Sequence, residues 1–75
     1  MELIEINTES IKLDQFLKWA GIVETGGQVR EFIDEKMIEL NGKIITEKRK
    51  QLKNKDIIKI KDIGTYQVIV VNNEN

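Results

Sequence analysis

Between Lys36 and Ile38 the apolar residues of this chain change their spacing, and that change restricts the fold more than any other feature. Upstream, Leu13, Phe16, Leu17 and Ala20 recur at i, i+3, i+4 and i+7, which predicts an amphipathic helix over about residues 11–20. Val29, Phe32 and Ile33 repeat the pattern in a second helix. Downstream, Ile38 and Leu40 alternate around Glu39 and run into Asn41-Gly42, the strongest short-range signal for a hairpin turn. Lys43-Ile44-Ile45-Thr46 returns as the partner strand. Ile57-Ile58-Lys59-Ile60 is another strand, and Tyr66 to Val71 the last, after a turn at Asp62-Ile63-Gly64-Thr65. Leu3-Ile4-Glu5-Ile6 predicts a short first strand paired at a sheet edge. This order predicts an α+β domain, with two short packed helices on one side of a small, mostly antiparallel sheet.

Polar residues mark where these elements start and stop. Asn7-Thr8-Glu9-Ser10 reads as a turn, with Ser10 as the N-cap of the first helix. Gly21 is placed to end that helix in a left-handed conformation. Thr25 and Gln28 have the spacing of a capping box, in which each side chain satisfies a backbone N–H of the other's segment. Between them, Gly26 and Gly27 are poor helix formers. Two readings account for them: a loop that needs positive φ, or bare first-turn amides that can contact an anion. Residues 47–55 form a basic, irregular stretch whose single apolar residue is Leu52, and residues 72–75 are expected to fray.

With 75 residues the chain makes one domain, 1–75, and a chain of this length buries only about 60% of its unfolded surface. It has no Cys and no His, so neither a disulfide nor an ordinary zinc site reinforces the core. The acidic start, Met1-Glu2-Leu3-Ile4-Glu5, lacks the basic region of a signal peptide, and no apolar run approaches the roughly 20 residues of a membrane span. A soluble cytoplasmic protein, with no membrane partner, is the expectation. Catalysis is not expected either: the single Ser is read as a cap, and the adjacent Asp34 and Glu35 diverge on a helix. No carboxylate group has calcium-loop spacing, so no metal or other cofactor is expected.

The net charge of −1 conceals an uneven distribution. Residues 1–42 carry nine acidic and four basic groups, whereas residues 43–61 carry eight basic groups against Glu47 and Asp56. The second half therefore offers a basic face to an anionic partner, although lysine-rich strands also protect sheet edges. Phe16 and Phe32 fall on the core stripes. Trp19 lies off the stripe and is expected to be a half-buried lid, with base stacking or partner docking as its other reading. The paired aromatics of a single-strand reader are absent from the sequence.

Taken together, Ile11-Lys12-Leu13-Asp14-Gln15-Phe16-Leu17-Lys18, the glycine-bearing cap at Thr25, and Ile38-Glu39-Leu40-Asn41-Gly42 resemble the S4 RNA-binding domain. That module occurs in a ribosomal protein, pseudouridine synthases, tyrosyl-tRNA synthetases and small stand-alone bacterial proteins; with no further domain in the sequence, this chain is most similar to the last. The resemblance runs from about Ile11 to Ile60 and implies an S4-like fold that binds structured RNA, ribosomal or transfer, through its phosphate backbone. It implies contacts from Lys12, at a position where the family commonly has Arg, and from Thr25, Gly26, Gly27, Gln28 and Arg30 at the second helix. Lys43 after the hairpin turn, and Lys48, Arg49, Lys50 and Lys53 beyond it, complete the implied surface. Three positions depart from the family pattern: Gly26 stands where many members have Arg, and Lys36 and Lys55 stand where Gly is usual. Positive φ at either lysine is expected to be strained. A monomer is expected, with ribosomal proteins as further partners. The alternative is a protein-interaction module on a ribosome-associated particle that has lost much RNA affinity.

Overall fold

The two apolar stripes form the helices α1 (Leu13–Trp19) and α2 (Gly26–Asp34). The computed structural model describes residues 1–71, so the expected fraying of residues 72–75 lies outside the described residues. Seven strands surround the helices: β1 (Glu2–Ile6), β2 (Ser10–Lys12), β3 (Ile38–Leu40), β4 (Lys43–Ile44), β5 (Gln51–Lys53), β6 (Ile57–Ile60) and β7 (Gly64–Val70). Five of them make one sheet in the order β1-β7-β6-β3-β4. Its pairs are antiparallel except β1–β7, which is parallel, and β1 occupies an edge as expected. The remaining two strands, β2 and β5, pair antiparallel by themselves.

Alternation along the strands places one apolar set under the helices. Ile38, Ile58, Ile60 and Val68 are fully buried or nearly so against Leu13, Phe16 and Leu17 of α1 and Val29 and Ile33 of α2. Phe32 is half-buried at the margin of the same core. The opposite faces of these strands carry Glu39, Lys59 and Thr65, which stand in register across β3, β6 and β7.

The first helix begins later than its spacing suggests, and Ser10 does not cap it. Ser10 to Lys12 are extended and pair with Gln51 to Lys53, which sets Ile11 opposite the fully buried Leu52. Lys12 takes the N-cap position, with no side-chain cap. The first-turn amides instead reach across the chain: Leu13 N donates to Lys50 O at 2.7 Å and Asp14 N to Lys48 O at 3.2 Å. A long-range pairing that buries Leu52 and satisfies both amides outweighs a local hydroxyl cap, and Ser10 Oγ accepts from Gln51 Nε2 at 2.8 Å. Part of the basic stretch is thereby ordered as β5.

Both helices end in the same motif. Gly21 N donates to Lys18 O and Ile22 N to Leu17 O; Lys36 N donates to Ile33 O and Met37 N to Phe32 O. The residue after the cap is left-handed in each, at φ 76 for Gly21 and φ 57 for Lys36. Lys55 also has positive φ, 76, so both lysines adopt the conformation in which Gly would be unstrained. At the hairpin, Asn41 (φ 51) and Gly42 (φ 90) are both left-handed, as a type I′ turn requires.

Two further expectations need correction. β7 begins at Gly64 rather than Tyr66, because Gly64 and Thr65 pair with Ile60 and Lys59 and shorten the turn. Trp19 is 61% exposed rather than half-buried, with its indole N–H donated to Glu5 O at 2.8 Å. Its position at the end of α1 directs it to the rim of the sheet and away from the core.

Candidate nucleic-acid interface

The capping box that opens α2 is complete. Gln28 N donates to Thr25 Oγ1 at 3.3 Å, and Thr25 N donates back to Gln28 Oε1 at 3.1 Å. Glu24 N donates to the same Oε1 at 2.6 Å, so the Gln28 carbonyl group is engaged by the backbone before the helix. The cap takes up the third amide of the helix and leaves those of Gly26 and Gly27 as first-turn donors without an intrahelical acceptor. These carry the positive end of the helix dipole.

Lys48 comes to the same place from the other half of the chain. A Cβ placed on Gly26 would stand 3.0 Å from Lys48 Nζ and 3.4 Å from its Cε. The missing side chain at residue 26 is thus the space that the ammonium occupies. A Cβ on Gly27 would meet only Thr25 Oγ1, at 3.7 Å. Neither glycine has the positive φ that the turn reading requires; those φ values fall at Gly21 and Gly42.

The backbone of the basic loop explains how Lys48 is held. The carbonyls of Lys48 and Lys50 accept the first amides of α1, while the Lys48 side chain extends to the first turn of α2. One loop therefore joins the N-terminal ends of both helices. Lys12, at the N-cap of α1, is opposite Gln51, and Lys53 is opposite Ser10, so both flank this junction on the β2–β5 ribbon. Arg30 follows Gly26 by four residues on α2, which puts it on the same helix face one turn later.

Lys43 enters from the hairpin. It shares with Lys50 a concavity of about 480 Å³ whose walls include Leu40, Asn41, Ile45 and Glu47. Arg49, between the two anchored carbonyls, is exposed. Lys12, Gly26, Lys43, Lys48 and Lys50 are thus tied by contact or register to one loop, and Arg30 and Lys53 to its borders. The arrangement can neutralise several phosphates while offering two amides as donors; it holds no aromatic platform.

The sequence predicts Asn41 only as a turn former, yet it also positions this surface. The Asn41 side chain donates from Nδ2 to Asp56 Oδ1 at 3.0 Å and accepts from Ile57 N at Oδ1 at 2.8 Å. Asp56 Oδ2 in turn accepts from Lys53 N at 2.8 Å. The hairpin tip is thereby fastened to the end of the basic loop, fifteen residues further along the chain. Among the described residues, no group of three or more His, Cys, Asp or Glu is placed to hold a metal ion, and no helix is long and apolar enough to cross a membrane.

Residues 4–69 match the family model of the S4 domain. The chain is also similar to a Bacillus subtilis (strain 168) protein described as a probable ribosome maturation protein, RlbA. The two are 33% identical over 66 residues, which cover 88% of this chain and 93% of that relative.

Proposed function

This chain belongs to the S4 domain family, and we propose that it is a non-catalytic module that binds structured RNA through phosphate contacts. The reading extends to a cytoplasmic monomer that acts on ribosomal RNA; its placement in ribosome maturation is supported by the description of the Bacillus subtilis relative. Transfer RNA has the same backbone chemistry and is the second candidate. The observation that carries the proposal is the junction at Gly26, where an ammonium and two helix-start amides converge beside the Lys48-Arg49-Lys50 loop. Duplex RNA is recognised mainly by shape, phosphate and 2′-OH, so a basic face without stacking rings is adequate.

The test is a salt titration with ribosomal and transfer RNA fragments. Four to six phosphate contacts correspond to a log K against log salt slope of about −3 to −5. A flat slope, or no binding at low salt, sinks the reading.

A second reading is a protein-interaction module, favoured by Gly26 in place of the cationic residue usual after the cap and by the acidic excess of residues 1–42. Charge reversal at Lys48, Arg49 and Lys50 separates the two. It abolishes RNA association under the first reading, whereas under the second a partner is still recovered after nuclease treatment.

A further inference from the structure

The β3–β4 hairpin has a concavity on each side. One is the hollow shared by Lys43 and Lys50. The other, of about 370 Å³, is lined by Lys36, Met37, Glu39, Ile44, Lys59 and Lys61. Ile44 is 51% exposed and borders both.

Strand register places the second hollow on the outward face of the sheet. Ile44 stands opposite Glu39, Glu39 opposite Lys59 and Lys59 opposite Thr65, whereas Ile38, Ile58 and Ile60 alternate into the core. Lys43 is opposite Leu40, on the other face. Lys61 N donates to Met37 O at 2.9 Å, which fixes the loop after α2 beside the end of β6, so that Lys36, Lys59 and Lys61 line one hollow with Glu39. Lys36 holds its place at φ 57, where Gly would be relaxed; what lysine adds there is an ammonium group.

We propose that this outward face is a second phosphate-binding surface, so that the domain engages two RNA strands at once, one on each side of the β3–β4 hairpin. The inference rests on the RNA reading above. Three ammonium groups against Glu39 leave an excess positive charge that an anion complements. The two hollows share Ile44 as a lining residue, and a duplex presents phosphate strands on both sides of a groove, which a hairpin basic on both faces meets together.

The experiment compares the wild-type chain, the variant Lys36→Gln/Lys59→Gln/Lys61→Gln and the variant Lys48→Gln/Lys50→Gln. Each is titrated by fluorescence anisotropy, across a salt series, with a blunt RNA duplex and with one of its strands alone. The triple variant is expected to flatten the duplex slope by about 2 to 3 and the single-strand slope by less. An unchanged duplex slope in the triple variant, with a flatter one in the Lys48/Lys50 variant, overturns the second surface and leaves RNA binding standing. Absence of duplex binding by the wild type at low salt removes both. Unchanged duplex binding combined with lost binding to poly-glutamate assigns the face to an acidic protein and also overturns the inference. Lys36→Gly guards against a folding artefact: its backbone is relaxed, so it is expected to unfold at higher temperature while its duplex slope flattens by about one. Higher stability with an unchanged slope would remove Lys36 from the surface.

Discussion

The ammonium of Lys48 lies 3.0 Å from the point where a Cβ on Gly26 would stand, against the first turn of α2. This is an unfavourable place for a cation, because a helix start already carries partial positive charge and favours acidic side chains. No acidic residue occupies the first turn of α2. Two positive groups set together are stabilised when an external anion joins them. Under the RNA reading proposed above, a phosphate at this place is expected to take the Gly26 and Gly27 amides as donors and the Lys48 ammonium as its counter-charge.

Stability and binding should therefore move in opposite directions at Lys48. Lys48→Gln is expected to raise unfolding free energy by about 0.3–1 kcal/mol, since it removes a cation from a helix N-terminus. It is expected to flatten the RNA salt slope by about one. Urea denaturation and a salt titration read the two effects separately. Loss of stability together with unchanged binding would make Lys48 a structural residue.

The two glycines should respond differently to alanine. At Gly26 a methyl group displaces the Lys48 ammonium, so Gly26→Ala is expected to weaken RNA binding while leaving the fold at least as stable. At Gly27 the new methyl has ordinary contact with Thr25 Oγ1, and the gain in helix propensity is up to about 1 kcal/mol. Gly27→Ala is thus expected to stabilise the fold and retain Lys48 in place. Equal RNA affinities for wild type and Gly26→Ala would return the motif to a purely architectural role.

Asn41 is expected to be the costliest polar residue of the hairpin. Its amide makes the two side-chain bonds that tie the turn to Asp56 and Ile57, and its backbone N donates to Ile57 O at 2.8 Å. Asn41→Ala loses both side-chain bonds and puts a less tolerant residue at φ 51. A destabilisation of about 2 kcal/mol is expected in denaturant melts. Asp56→Asn keeps one acceptor oxygen, for either Lys53 N or Asn41 Nδ2, and loses only the other bond, so a smaller loss is expected. Similar losses for the two variants would contradict the division of roles.

What was legible in the sequence is what the chain decides within a few residues. The capping box joins Thr25 to Gln28, the hairpin signal is two adjacent residues, and the Gly21 stop follows directly from the helix it ends. The α2 stripe and the β6 run needed only their own periodicity. Apart from the start of β7, which pairs with residues only four to six positions earlier, the differences come from partners far apart in the chain. Ser10 looked like a cap because Gln51, 41 residues later, cannot be seen from its neighbourhood. The same holds for the carbonyls that start α1 and for Lys48 at Gly26. Loops of that length carry no local signal for where they will be anchored. Lys36 is the instructive intermediate: its departure from the expected glycine marked a left-handed position, but its neighbours Lys59 and Lys61 became visible only once β6 was placed.

Trp19 gives a prediction about the sheet edge rather than about RNA. β1 is an outer strand, and Val71 N donates to Ile6 O at 2.8 Å, so the polar groups of Ile6 face β7. In a parallel pair the next residue along faces the other way, which turns the Glu5 carbonyl toward the open edge. Trp19 Nε1 donates to that carbonyl at 2.8 Å, and Trp19 lines a hollow together with Glu5, Ile6, Asn7 and Val71. An open strand edge is a template for pairing with another chain, and a bulky side chain bonded to it is one way to block that. Trp19→Ala is expected to cost about 1 kcal/mol, since the bond it removes is solvent-exposed. It is also expected to shift sedimentation velocity profiles toward dimers and larger species as concentration rises. Trp19→Phe retains ring bulk without the N–H and should fall between. RNA salt slopes should match wild type in both, because the ring is not part of the junction at Lys48. A monomeric Trp19→Ala with a flattened slope would instead assign the indole to the RNA surface.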